Sequence, residues 1–190
     1  MVFLGIGLGL GISIAVVLLA AIIFIVYYNR FAILGNRIDN SLAQIDVQLR
    51  KRADLVPNLI NTVKGYAKHE KSTLTELTKA RTSFLNAGSD MGKKARAGNQ
   101  MQEALKSIFA VAENYPQLRA NENFLQLQQE LSAIEDKVAY SRQYYNDSIL
   151  SYNNSSRTFP GVFFFNLFGF KEKPYLEIPA EARAVPKVEF

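Results

Sequence analysis

The chain has no cysteine, no tryptophan and a single histidine, His69. Without thiols there can be no disulfide scaffold, thiolate metal centre or cysteine nucleophile. One imidazole cannot build a histidine zinc site, which needs further ligands at suitable spacing. His69 stands among Lys68, Glu70 and Lys71, the surroundings of a solvated turn or helix end. The sequence also lacks a phosphate-binding glycine loop, a nucleophile elbow, a kinase signature and the Glu-x-x-His pairs of carboxylate di-metal bundles. Charge imbalance is slight: 22 Lys+Arg against 17 Asp+Glu give a net +5, too little to argue for a nucleic-acid partner. We therefore expect no catalytic, cofactor-binding or metal-binding residues, no cofactor and no enzymatic activity. What remains is 190 residues, 48% hydrophobic, with 11 glycines and 6 prolines. That is enough for one domain with a core and an anchor, and excludes collagen-like or wholly disordered chains.

The most informative absence is that of charge from Met1 to Asn29, where Val2 to Tyr28 is almost continuously apolar. A helix rising 1.5 Å per residue needs about 20 such residues to cross the hydrocarbon layer. A cleaved signal peptide wants a basic start and a shorter apolar core. Here nothing basic precedes the run, and Ala20-Ala21 leads into Ile22-Ile23-Phe24-Ile25-Val26, so the segment is expected to be retained. Tyr27 and Tyr28, followed by Asn29 and Arg30, mark the water boundary. Arg30, Arg37 and Arg50-Lys51-Arg52 all follow the span, which by the positive-inside rule places the N-terminus outside and the body in the cytoplasm. Gly5/Gly9 and Gly7/Gly11 are small-xxx-small pairs. They read either as a self-association seam or as the ordinary glycine content of a membrane helix.

Beyond the span the period is helical. Leu34, Ile38, Leu42, Ile45 and Leu49 recur at three and four, in phase with Val56, Leu59 and Val63. Pro57 falls inside this stripe and should either kink one long helix or open a second one; the kink is favoured, because Val56 is a poor N-cap. A turn is expected near 66–72, because Gly65 weakens the helix and Thr73-x-x-Glu76 matches a capping box before Leu74, Leu77 and Phe84. Residues 86–99, with three glycines, read as a loop. Met101, Leu105, Ile108 and Ala112 form a third stripe, ended by Tyr115-Pro116. Then Phe124, Leu127, Leu131, Ile134, Val138, Ser141, Tyr145, Ser148 and Tyr152 make an unbroken coiled-coil-like heptad seam, with Asn121 as its N-cap. Its last positions are polar, as at the wet end of a bundle. Glu130, Glu135 and Asp136 lie off the seam and read as surface charge. The sequons at Asn146 and Asn154 carry no meaning on a cytoplasmic helix.

Phe159 to Phe170 places six phenylalanines among twelve uncharged residues, too short a run to span as a helix. Either the rings plug a groove at one end of the bundle, which is the expectation, or they dip into the headgroup layer or grip a partner. Lys171 to Phe190, punctuated by Pro174, Pro179 and Pro186, reads as an extended tail. Arg50-Lys51-Arg52 would stand roughly 30 Å above the bilayer on an upright helix, beyond a Debye length of ~8 Å, and reads as a solvated face.

The segment Ile45 to Glu70 resembles the signature block of the LemA family. So do Ala110 to Asn121, Asn123 to Gln128, Tyr145-Asn-Asp147 and Phe168-Gly-Phe-Lys171. The resemblance implies a bacterial inner-membrane protein with one N-terminal span and a soluble four-helix bundle, and supplies no catalytic residues. A related branch is associated with shaping magnetosome membranes. The expected fold is all-α. A transmembrane helix (1–29) leads into an elongated antiparallel four-helix bundle (30–158), followed by a Phe-rich segment and extended tail (159–190). The expected function is a membrane-tethered scaffold or adaptor, with a switchable sensor or signalling adaptor as the alternative. Expected partners are the lipid bilayer, further copies of the chain and other membrane proteins, and no nucleic acid.

Overall fold

The computed structural model describes residues 2–67 and 69–176, with side chains from residue 9 onward. Among these residues there are six helices and no strand: α1 (Val2–Tyr66), α2 (Lys71–Asn86), α3 (Met91–Ala112), α4 (Pro116–Arg119), α5 (Glu122–Arg157) and α6 (Gly161–Leu167). The fold is all-α, and its first helix carries a stretch long and apolar enough to cross a membrane. The chain forms two compact units. One comprises the residues up to Asn40 with Tyr144–Leu176; the other is Ser41–Gln143.

In the Ser41–Gln143 unit the core follows the apolar stripes. Ile45, Leu49, Val56, Leu59 and Val63 of α1 are buried, as are Leu74, Leu77 and Phe84 of α2 and Met101, Leu105 and Ile108 of α3. Helix α1 runs on through Pro57. The proline removes one intrahelical donor. Fully buried Ala53, Val56 and Leu59 on either side hold the turn in place. The α1 stripe is shifted at one position from the expected one: Ser41, not Leu42, is the buried residue.

Two local expectations are corrected. Thr73 does not cap α2, which starts at Lys71 after Glu70 and has no side-chain cap bond. The turn itself falls where expected, with His69 exposed in it. Residues 86–99 are not a loop, because α3 begins at Met91 and only 87–90 connect the helices. Gly88 does take the left-handed conformation (φ +59°) that ends α2. Gly98 serves packing: a Cβ there would lie 2.9 Å from Leu49 Cδ2. Glycine here serves close helix approach, not chain punctuation.

Caps fix the later helix starts. Asn121 Oδ1 accepts from the Phe124 N–H at 3.0 Å, as expected, while the Asn121 amide donates to the Tyr66 hydroxyl at 3.1 Å. Asp90 Oδ1 accepts from the Lys93 N–H at 2.9 Å. That bond, with the nearby Lys93 charge, holds the Asp90 carboxyl below its ordinary pKa of 3.8. A lowered folded-state pKa means stability that is present above the ordinary value and lost as pH falls through the lowered one. Asp90→Ala is therefore expected to lower the melting temperature at pH 7, and Asp90→Asn to retain most of the cap. Thermal melts followed by helical circular dichroism should show the Asp90→Ala deficit closing as the pH is taken below the ordinary carboxylate value of 3.8 and through the lowered one.

Candidate functional site

In the unit containing the apolar helix, the last turns of the uncharged run carry Phe24, Tyr27, Tyr28 and Phe31, which recur at three and four and so share a face. Helix α6 lies on that face. Phe164 stacks on Tyr27 at 4.9 Å between ring centroids, and Phe168 meets Phe24 edge-on at 4.9 Å and Tyr28 at 5.3 Å. Below them Phe31 is buried among Tyr152, Phe165 and Phe170 at 5.4–5.9 Å. Edge-to-face and offset pairs at these distances each add about 0.5–1.5 kcal/mol beyond simple burial. The phenylalanine segment thus packs on α1 and α5, while its outer rings stay exposed.

The polar end of the α5 seam explains how α6 comes so close. Ser141, Ser148, Ser155 and Ser156 are buried, which corrects the expectation of a wet end. Ser148 and Ser155 satisfy their hydroxyls on carbonyls one turn back, at 2.7 and 2.8 Å, so small polar residues occupy dry positions without an orphaned donor. Gly161 starts α6 directly over the Ser155 carbonyl oxygen, where any Cβ would collide with backbone. Past α6 the chain runs extended along α5. The Asn153 amide donates to the Lys173 carbonyl at 3.0 Å and accepts from the Lys173 N–H at 3.1 Å. Asn146 Oδ1 takes the Leu176 N–H at 3.2 Å. Burial, aided by Asp39, raises the Tyr145 phenol above its ordinary value beside this tail. Arg157 and Glu172 form a bidentate exposed pair at 2.8 Å. The tail expected from Lys171 is thus extended to Leu176, and the rest lies outside the described residues.

The second unit holds a buried charge. Arg50 and Lys51 are exposed, but Arg52 is 1% exposed and ion-pairs with Glu135, contrary to the solvated reading of both. Arg52 also donates to the Gly98 carbonyl at 3.4 Å. Burial lowers the Arg52 guanidinium below its ordinary pKa; Glu135 opposes that shift and Arg142 adds to it. Arg142 in turn donates to Asn99 Oδ1 at 2.8 Å. The signal was in the spacing: positions 45, 49, 52, 56, 59 and 63 alternate four and three, which puts Arg52 in the buried stripe. Glu130 and Asp136 are exposed as expected. Gly9 and Gly11 face open space, and the side-chain surroundings of Gly5 and Gly7 lie outside the described residues.

Two open grooves add no catalytic constellation. One is lined by Lys64, Lys71, Lys79 and the hydroxyls of Thr75, Thr78 and Thr82; the other by Asn29, Arg30, Asn154 and Thr158 beside Val26 and Ile33. Neither lining contains a carboxylate or an imidazole. No group of three or more metal-capable side chains occurs among the described residues.

Two sets of substitutions test this packing. Gly161→Ala should displace α6 at a cost of about 1–3 kcal/mol, seen as faster proteolysis within 159–170. Glu135→Ala leaves Arg52 buried without its counter-charge. It should cost about 2–3 kcal/mol, below the ~3–5 typical of an enclosed pair because Glu135 is partly open to water. Arg52→Met should fall within about 1 kcal/mol of the parent. Denaturation of the detergent-solubilised protein measures both.

Comparison with known proteins agrees with this picture. The LemA family model matches residues 41–190. Protein LemA of Metamycoplasma hominis is 26% identical over 124 residues, covering 65% of this chain and 57% of the relative. Magnetosome protein MamQ 2 of Paramagnetospirillum magneticum is 22% identical over 175 residues, 79% of this chain and 64% of the relative. Magnetosome protein MamQ of Magnetospirillum gryphiswaldense is 23% identical over 179 residues, 80% and 66%. The chain thus spans 57–66% of the length of these relatives. A membrane-length apolar helix joined to helical units makes this a membrane-associated helical protein, and the chain belongs to the LemA family.

Proposed function

We propose that the protein is a non-catalytic membrane-anchored scaffold or adaptor. In this reading α1 is embedded in the bacterial inner membrane, with its N-terminus outside and the helical units on the cytoplasmic side. Copies associate through the glycine-lined start of α1 and serve membrane organisation or remodelling. One observation carries the reading. The apolar length of α1, exposed along its course, continues as one uninterrupted helix into residues that build the second unit's core. A span and a packing surface that share one helix turn every lateral association of the span into an association of what packs on the rest of that helix. Arg30 and Arg37, following the span, support the orientation. Relatives named as magnetosome proteins support membrane organisation as the process served.

The test is particle size. The detergent-solubilised protein is expected to sediment as more than one copy, and Gly5→Leu with Gly9→Leu to shift it toward the monomer. A strictly monomeric particle at high concentration would overturn self-association. Recovery of the full-length chain in buffer washes of the membrane would overturn the anchor.

A further inference from the structure

We propose that α6 is a second membrane contact, an interfacial wedge lying in the surface layer of the bilayer that α1 crosses. This rests on α1 being embedded. Its height then follows from the rings it touches. Phe164 and Phe168 pack against Phe24, and Phe24 lies within the uncharged run, flanked by Ile22, Ile23, Ile25 and Val26. The first charge is Arg30, six residues on, or about 9 Å along the helix. An element docked on Phe24, Tyr27 and Tyr28 shares the level at which aromatic rings gather at the hydrocarbon boundary.

The outward face of α6 is apolar as well. Phe163 is 61% exposed and Leu167 57%, one helical turn apart and so on one side of α6, and Phe159, in the turn just before the helix, is 88% exposed. A cluster of large apolar side chains without a protein cover marks a contact surface. The occupant is lipid, because this face continues the surface of α1 itself. Phe24, Ile25 and Tyr28 are 44–57% exposed, and on an embedded α1 they face acyl chains. The rim fits too. No charge occurs from Thr158 to Phe170; beyond it the Glu172 carboxylate is paired with Arg157, while Lys171 and Lys173 on either side of it are long cations able to reach phosphates with their stems along apolar surface.

The absence of tryptophan supplies the experiment, since any introduced indole is the sole reporter. Phe163→Trp, Phe159→Trp and Val16→Trp are made in the full chain. Each is reconstituted in phosphatidylcholine/phosphatidylglycerol vesicles, with or without brominated acyl chains, and iodide serves as the aqueous quencher. Val16→Trp reports the span independently. Phe163→Trp and Phe159→Trp are expected to emit at blue-shifted wavelengths, to lose most of their intensity to brominated chains and to resist iodide. Quenching of both by iodide but not by bromine would overturn the wedge; so would protection from both quenchers, which would mean that protein, such as a second copy, covers the face. If Val16→Trp is bromine-quenched in either case, the anchor stands and only the wedge fails. If Val16→Trp is also untouched by bromine, the anchor fails with it.

Discussion

Twelve large apolar side chains between Leu10 and Val26 stand 37–67% exposed among the described residues, even with the rings of the α6 segment packed against Phe24. Fully burying one such side chain is worth about 1.5–3 kcal/mol. A dozen of them in water would represent a penalty comparable to the ~5–15 kcal/mol that keeps a whole domain folded. An apolar solvent removes that penalty, and a bilayer is the one that matches a helix of this length. The position of the aromatic rings and the first arginines on α1, and the significance of α6, depend on this constraint.

Away from the span, α1 is held by side-chain period. From Phe31 to Val63 its buried positions step by threes and fours, and the stripe is apolar except at Ser41 and Arg52. A buried ion pair seldom adds net stability, because desolvation of two charges offsets their attraction. It does tie one register to another: Arg52 reaches Glu135 and the Gly98 carbonyl only if α1, α3 and α5 hold their present alignment. We read the pair as a device for specifying that alignment. In the same unit Lys94 closes on Asp46 at 2.6 Å, a second cross-link between α3 and α1.

The long elements were legible because length averages out local exceptions. All nine positions of the α5 seam are buried, and the α3 stripe from Met101 to Ala112 is buried as well. Errors gathered where a residue has more than one physical use. Glycine at 92 and 98 disfavours a helix in isolation, but at Gly98 the missing Cβ leaves room for Leu49, which would stand 2.9 Å from it. Thr73 and Glu76 satisfy a capping pattern, yet α2 starts earlier, and a four-residue pattern weighs little against packing. Arg52 is in phase with its stripe, and phase outweighs charge in placing it. The dry serines of α5 were unreadable for a related reason: a hydroxyl that bonds its own helix looks polar in sequence and behaves as small and neutral in the fold.

The conformation of helix α6 is not set locally. A helix of seven residues is below the length at which helices persist alone in water, so its conformation comes from what it rests on. It rests on rings of α1 at the end of the uncharged run and on an α5 backbone laid bare by serines, with Gly161 setting the distance. Remove the Phe24–Tyr28 surface and the segment loses the template that makes it helical. Its folding is therefore bound to the end of the span, and the apolar face it turns outward exists only where the span ends. In the proposed arrangement the wedge is therefore built where the span ends. That would keep a phenylalanine-rich segment from being a general aggregation hazard.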